Sequence, residues 1–164
     1  MNIYTDEQYY SFALLVFFLL IFLFKIWYFF TISPSRRILK RNKSVKKLKK
    51  LSWEEFEMLC MHFFKEQGWQ VNMNRHKGAD GGVDLWMKKR GTQAIVQCKK
   101  YEDARVTIKV IREMYGLMYE YDVQKVFIVT TSEFTKECYK FIEDKEIVLL
   151  NGEDLVQKIR QLTA

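Results

Sequence analysis

The sequence predicts an α/β domain in which a central mixed sheet carries helices on both faces, in the order α-β-β-β-α-β-α-β-α, preceded by one transmembrane helix. Three observations predict it. Residues 11–32 form an apolar run whose only charge is Lys25. Residues 69–74, 83–89 and 92–100 are three short segments of strand length separated by turn signals. From residue 107 onward, helical spacing alternates with apolar runs of strand length.

The first run is long enough to cross a bilayer as a helix, which needs about 20 apolar residues. Tyr9 and Tyr10 flank one end and Trp27 and Tyr28 the other, as expected of rings at headgroup level. Lys25 falls near an interface, where its stem can stay in the apolar region while the ammonium reaches water. A cleaved signal peptide would need a positive start, a shorter run and a small-residue cleavage site. Here the start carries Asp6 and Glu7, and the run closes on bulky aromatics.

Residues 33–50 then hold nine Lys or Arg and no acid. By the positive-inside rule, residues 1–10 lie outside and everything after the span is cytoplasmic. The expectation is a single-pass protein of the cell (inner) membrane, with residues 33–50 as a basic juxtamembrane linker and residues 51–164 as the folded domain. Residues 36–50 are expected to attract anionic lipids, at about 1 kcal/mol per cation. A DNA-tracking arm is the alternative.

Residues 51–164 contain 17 basic and 18 acidic residues, so the formal +7 of the chain sits in the basic segment. Cys60, Cys98 and Cys138 are far apart and lack CxxC spacing. That argues against a disulfide framework or a zinc site, and for buried thiols facing a reducing compartment.

Within the domain, Ser52 and Glu55 have capping-box spacing, Phe56, Leu59, Cys60, Phe63 and Phe64 recur at helical spacing, and Gly68 stops the helix. Trp69, Val71 and Met73 share one face of the first strand; Arg90-Gly91 turns the second strand into the third. Residues 107–121 read as a helix and residues 125–131 as a strand buried on both faces. Thr135 is placed to cap a short helix, followed by a strand over residues 146–150 and a closing helix over residues 152–161.

The chemistry concentrates in Gly78-Ala79-Asp80-Gly81-Gly82-Val83-Asp84-Leu85 and, after the hairpin turn, Gln97-Cys98-Lys99. Residues two apart on a strand share a face, so Gln97 and Lys99 point one way and Val96 and Cys98 the other. Asp84 sits on the preceding strand as a possible cross-strand neighbour of Gln97, with Val83 and Leu85 on the opposite face. Glu57 on the first helix can approach from the side. An acid, an amide oxygen and an ammonium suit a divalent metal holding a phosphodiester. Mg²⁺ takes oxygen donors and keeps several waters, so few protein ligands seat it, and Mn²⁺ can substitute. Lys99 would stabilise the attacking hydroxide or developing phosphorane charge. Asp80 and the two histidines, His62 and His76, read as structural or turn residues.

These motifs, with Leu51-Ser52-Trp53-Glu54-Glu55-Phe56-Glu57, Lys100 and Thr130-Thr131-Ser132-Glu133-Phe134-Thr135, resemble the Mrr-type restriction endonuclease domain of the PD-(D/E)xK nuclease superfamily. The resemblance covers residues 51–160 and implies a restriction-endonuclease-like fold. It makes Asp84 the metal-binding aspartate, Gln97 the occupant of the second acidic position, Lys99 the catalytic lysine and Glu57 the helix glutamate. Val83 stands where the superfamily motif has proline. Lys100, Tyr101, Arg105, Thr131 and Ser132 are candidate DNA contacts.

The expected function is therefore a membrane-anchored, Mg²⁺-dependent DNA endonuclease, with restriction of foreign DNA as its expected role. A catalytically silent binding module of the same fold is the alternative, and cleavage of RNA remains open. The even charge balance of residues 51–164 favours that alternative or a homodimer, since DNA affinity normally leans on basic surface.

Overall fold

A computed structural model describes residues 3–31, 34–73 and 82–164, with side chains described for residues 9–26 of the first helix. The chain divides into two compact units, Met1–Pro34 and Ser35–Ala164. The first consists of α1 (Ile3–Thr31). Its 18-residue window Tyr9–Ile26 has a mean hydropathy of 2.3 and exposes apolar side chains all round. By length and composition α1 can cross a membrane.

The second unit begins with α2 (Pro34–Arg41), α3 (Val45–Lys50) and α4 (Trp53–Glu66). There follow β1 (Gln70–Met73), β2 (Leu85–Lys89), β3 (Thr92–Lys99), α5 (Ile108–Glu120), β4 (Lys125–Thr130), α6 (Lys136–Ile142), β5 (Ile147–Leu150) and α7 (Gly152–Leu162). The sheet order is β1-β2-β3-β4-β5. The first three strands meander antiparallel, and β4 and β5 add parallel to them. The sheet is therefore mixed, and from α4 onward the elements follow the predicted order.

Local chemistry explains the joins. Ser52 and Glu55 close a full capping box on α4: the Ser52 hydroxyl accepts from the Glu55 amide and the Ser52 amide donates to the Glu55 carboxylate. Arg90 and Gly91 both take positive φ, 50° and 88°, as a two-residue hairpin between Lys89 and Thr92 requires. Thr135 occupies the N-cap of α6 without a capping bond to a backbone amide, unlike the expected cap.

Alternation along β3 divides the core. Ala94, Val96 and Cys98 pack with Phe56, Cys60, Phe63 and Phe64 of α4 and Leu155 and Ile159 of α7. Ile95 packs on the other face with Ile111 and Met114 of α5 and Cys138 of α6. All three cysteines are free and buried.

Residues 34–50 differ from the linker expected there. They form α2 and α3, and Leu39 and Leu48 are fully buried in the α4-side core. Ser35 bonds His62 at 2.8 Å, Arg36 pairs with Glu66 at 3.0 Å, and Arg160 donates to the Lys43 carbonyl at 2.9 Å. The nine cations of this segment thus belong to the folded unit, which carries 26 basic and 18 acidic residues, a balance of +8. The sequence concealed this because a few apolar residues in a strongly charged run carry little periodic signal.

Candidate active site

Strand β3 lies mid-sheet and ends in Gln97, Cys98 and Lys99. Asp84 immediately precedes β2; its amide donates to the Val96 carbonyl at 2.9 Å, extending the ladder by one bond. Its carboxylate reaches back across that ladder. Oδ2 accepts from the Cys98 amide at 2.6 Å and from Gln97 Nε2 at 2.9 Å. The predicted juxtaposition of Asp84 and Gln97 is therefore present.

The predicted faces of its neighbours are not. Leu85 packs on the α4 side whereas Val83 packs on the α5 side, so the pleat does not continue through Asp84. Gly82 accounts for the break with a φ of +100°, a conformation that residues with a Cβ adopt only under strain. A Cβ there would also lie 2.6 Å from Gln97 Oε1. We expect Gly82→Ala to displace Gln97, cost about 1–3 kcal/mol and reduce any activity of the site. Equal melting temperatures for this variant and the wild type would refute that expectation.

Helix α4 supplies the other side. Trp53 and Glu57 are one turn apart and share a helix face. Glu57 is 7% exposed and Gln97 5% exposed. The Lys99 ammonium stands 6.0 Å from the Trp53 ring centroid, within cation–π range. Trp53 was not among the predicted site residues, although its four-residue spacing from Glu57 was a readable signal.

Burial dominates the electrostatics. It pushes the Asp84 carboxyl up to about 6, and the Glu57 charge pushes the same way. The Cys98 amide, the Gln97 amide and the Lys99 charge oppose the shift without cancelling it. The Cys98 thiol is held well above its usual range, first by its hydrogen bond with Cys60 and then by burial. Cys98 therefore stays a protonated, buried thiol on the α4 side of the sheet.

The predicted DNA contacts lie at the ends of β3 and β4 and in the turn after β3. Arg105 is exposed, and Lys100 pairs with Glu102 at 3.5 Å. Thr131 is only 1% exposed, and its hydroxyl accepts from the Tyr101 amide and donates to the Tyr101 carbonyl. Thr130 similarly donates to the Lys99 carbonyl at 2.7 Å. These threonines staple the end of β4 to the end of β3, and the Thr131 hydroxyl is committed to the Tyr101 backbone. Ser132 is partly exposed, and its amide donates to the Thr130 hydroxyl. His76, Asp80 and the glycines at 78 and 81 lie outside the described residues.

The donor set suits a hard divalent cation. Glu57 is a buried carboxylate, Asp84 is a partly buried one whose carboxyl the Glu57 charge pushes up, and Gln97 adds an amide oxygen. No group of three or more His, Cys, Asp or Glu able to hold a metal occurs among the described residues. Such a sparse oxygen donor set fits an ion that keeps most of its waters, as Mg²⁺ does.

A family model described as restriction endonuclease (Mrr_cat) matches residues 48–159, and the chain belongs to that family. Its second unit is a nuclease-family domain of restriction-endonuclease fold. Among solved structures, it is similar to the DNA modification-dependent restriction endonuclease AspBHI, at 16% identity and a TM-score of 0.59 over 81% of this chain and 37% of that one. A protein of unknown function matches at 15% identity and a TM-score of 0.54, over 64% of this chain and 65% of its own. The MspJI restriction endonuclease, solved in complex with a 27-mer oligonucleotide, matches at 20% identity and a TM-score of 0.50, over 66% of this chain and 28% of that one. The chain thus spans less than two thirds of the length of each. A comparison with curated proteins returned no match.

Proposed function

We propose that the chain is a membrane-anchored, Mg²⁺-dependent DNA endonuclease in which Asp84, Glu57, Gln97 and Lys99 form the active site. The observation that carries this reading is the Asp84 carboxylate, held by the Cys98 and Gln97 amides and under the influence of both Glu57 and Lys99. Asp84 and Glu57, with the Gln97 amide oxygen, would hold the cation. When bound, the metal supplies Lewis acidity toward a nonbridging phosphate oxygen and makes a coordinated water more acidic.

The chain's own groups do the rest. Lys99 donates hydrogen bonds to the nonbridging oxygens on which charge grows as the water oxygen bonds to phosphorus and gives up a proton to solvent; the in-line P–O ester bond breaks with its electron pair on the leaving oxygen, which takes a proton from solvent. Trp53 restrains the Lys99 stem, so the ammonium is positioned before substrate arrives. The Cys98 amide aims the Asp84 carboxylate and fixes it to the strand that carries Lys99.

DNA as substrate is supported by the family and by the oligonucleotide bound to MspJI. Anchoring is supported by the length and composition of α1. The nine cations after α1 favour a cytoplasmic nuclease unit at the cell membrane, and the reduced cysteines agree. Arg36 and Arg37 follow the end of α1 within six residues, where chain connectivity favours contact with anionic headgroups. A role in restricting foreign DNA at the envelope follows from the anchor and the family together.

The test uses the full chain in detergent micelles with supercoiled plasmid and Mg²⁺ or Mn²⁺. We expect nicking or cleavage that EDTA stops, and that Lys99→Ala lowers by on the order of 10²–10³-fold. A folded chain that binds the plasmid and leaves it intact with either metal would instead be a binding module.

A further inference from the structure

Beside the candidate active site lies a cleft of about 670 Å³ between α3 and the turn that follows β3. Lys46, Lys49, Lys50 and Lys100 line it, together with Glu102 and Asp103. Nothing in the chemistry proposed above uses it.

The cleft is built into the domain. Helix α3 is pinned from below by Leu48, which is fully buried in the α4-side core. It is pinned from the side by Lys49, which donates to the Glu102 carbonyl and stands 4.0 Å from the Asp103 carboxylate. Those two contacts fix α3 against the turn after β3. The acids are the more exposed members: the Glu102 side chain is 76% accessible and that of Asp103 fully so. Lys46 and Lys50 are exposed, one turn apart on the same face of α3, and have no ion pair or side-chain hydrogen bond among the described residues. Four ammonium groups against two carboxylates leave a positive cleft with two of its cations uncommitted.

Its position gives it meaning. Lys100 follows Lys99 directly, and Leu51, also in the wall, lies two residues before Trp53, whose ring the Lys99 ammonium faces. The cleft wall therefore adjoins the candidate site in the chain twice, at the end of β3 and at the entry to α4. An anion chain crossing Lys99 would run next between Lys100 and α3.

We propose that this cleft grips the phosphate backbone of the DNA strand leading to or from the scissile phosphate, with Lys46 and Lys50 as its contacts. The proposal rests on the nuclease reading and deepens it. Ammonium groups on a packed helix at fixed spacing suit the regular repeat of backbone phosphates and need no base contact. It also resolves the apparent charge deficit of the domain, because the cations missing from residues 51–164 are supplied by α3. An anionic membrane surface fits less well, since Lys100 and Leu51 of the wall adjoin Lys99 and Trp53 in the chain, which suits a strand passing through the candidate site.

The experiment measures binding of a fluorescent DNA duplex to the full chain in uncharged detergent with EDTA, over a series of salt concentrations. Each lost phosphate contact lowers the log-affinity against log-salt slope by about 0.9. Lys46→Gln/Lys50→Gln is expected to lower the slope by about 1.8 and the affinity by roughly tenfold near 0.1 M salt. Lys109→Gln/Lys140→Gln, on α5 and α6, controls for general loss of charge and is expected to change the slope by far less. An unchanged slope in the α3 variant, with wild-type binding intact, overturns the cleft and leaves the nuclease reading standing. An unchanged slope accompanied by lost binding to anionic vesicles overturns it in favour of lipid contact. Failure of the wild type to bind any duplex overturns both readings together.

Discussion

Replacing Asp84 by Asn is expected to lower cleavage by on the order of 10³-fold and, at the same time, to make the metal-free protein more stable at pH 8. The two effects share one cause. Asp84 is partly buried and feels the Glu57 charge, and its carboxyl is pushed up to about 6 in the fold against an ordinary 3.8. The folded state therefore holds this proton at pH values where the unfolded chain has released it. Stability from the group is fully present below about pH 4 and is lost as pH rises through about 6. Two pKa units correspond to at most about 3 kcal/mol. Asn has no charge to bury, and its side-chain oxygen can still accept the Cys98 amide proton. Denaturation with EDTA should show the variant ahead of the wild type at pH 8, with the gap closing toward pH 4; a gap independent of pH would refute the shift. Mg²⁺ should stabilise the wild type and not the variant, because a ligand that binds only the native state raises its stability. Cleavage by the wild type should rise about tenfold per pH unit while Asp84 is mostly protonated and level off once it is ionised.

The second large effect concerns the segment before α4. Leu39 and Leu48 are fully buried in the same core as Phe56, Phe63 and Leu155. Truncating a buried Leu to Ala costs about 2–5 kcal/mol, so Leu39→Ala/Leu48→Ala together approach the whole stability of an ordinary domain, roughly 5–15 kcal/mol. A chain that starts at residue 51 loses both side chains, the Ser35–His62 bond and the Arg160–Lys43 contact. It is expected to lose cooperative thermal unfolding and to aggregate. A fragment beginning at residue 51 that melts at the full-length temperature would show α2 and α3 to be appendages.

Much of the fold was legible in the sequence because most of its elements carry a local signal. The box at Ser52 and Glu55, the positive-φ pair at Arg90 and Gly91, and the apolar run of β4 each specify an element within a few residues. The site was legible in part. Gln97 and Lys99 follow from strand periodicity, whereas the Asp84–Cys98 bond depends on a register that periodicity leaves open. Val83 was misplaced because alternation was carried past the end of β2, through a residue whose neighbour Gly82 leaves the ordinary backbone region. Thr131 shows another limit: a hydroxyl at a strand end reads alike whether it faces solvent or staples the Tyr101 backbone. The role of α3 was hidden because charge counts follow residue numbers, while packing follows a single buried Leu48.

The sheet order has a consequence for when the site comes into being. Asp84, Gln97 and Lys99 sit on an antiparallel hairpin that can close locally, but β3 also pairs parallel with β4, from Ala94 against Lys125 to Lys99 against Thr130. That pairing waits for the α5 crossover, and non-local contacts of this kind form slowly. During synthesis the strand bearing Gln97 and Lys99 gains its second neighbour only after β4 has left the ribosome. By then α1 has long since emerged. Under the anchoring and activity proposed above, membrane engagement precedes catalytic competence, and the nascent chain stays inert until it has been delivered to the bilayer.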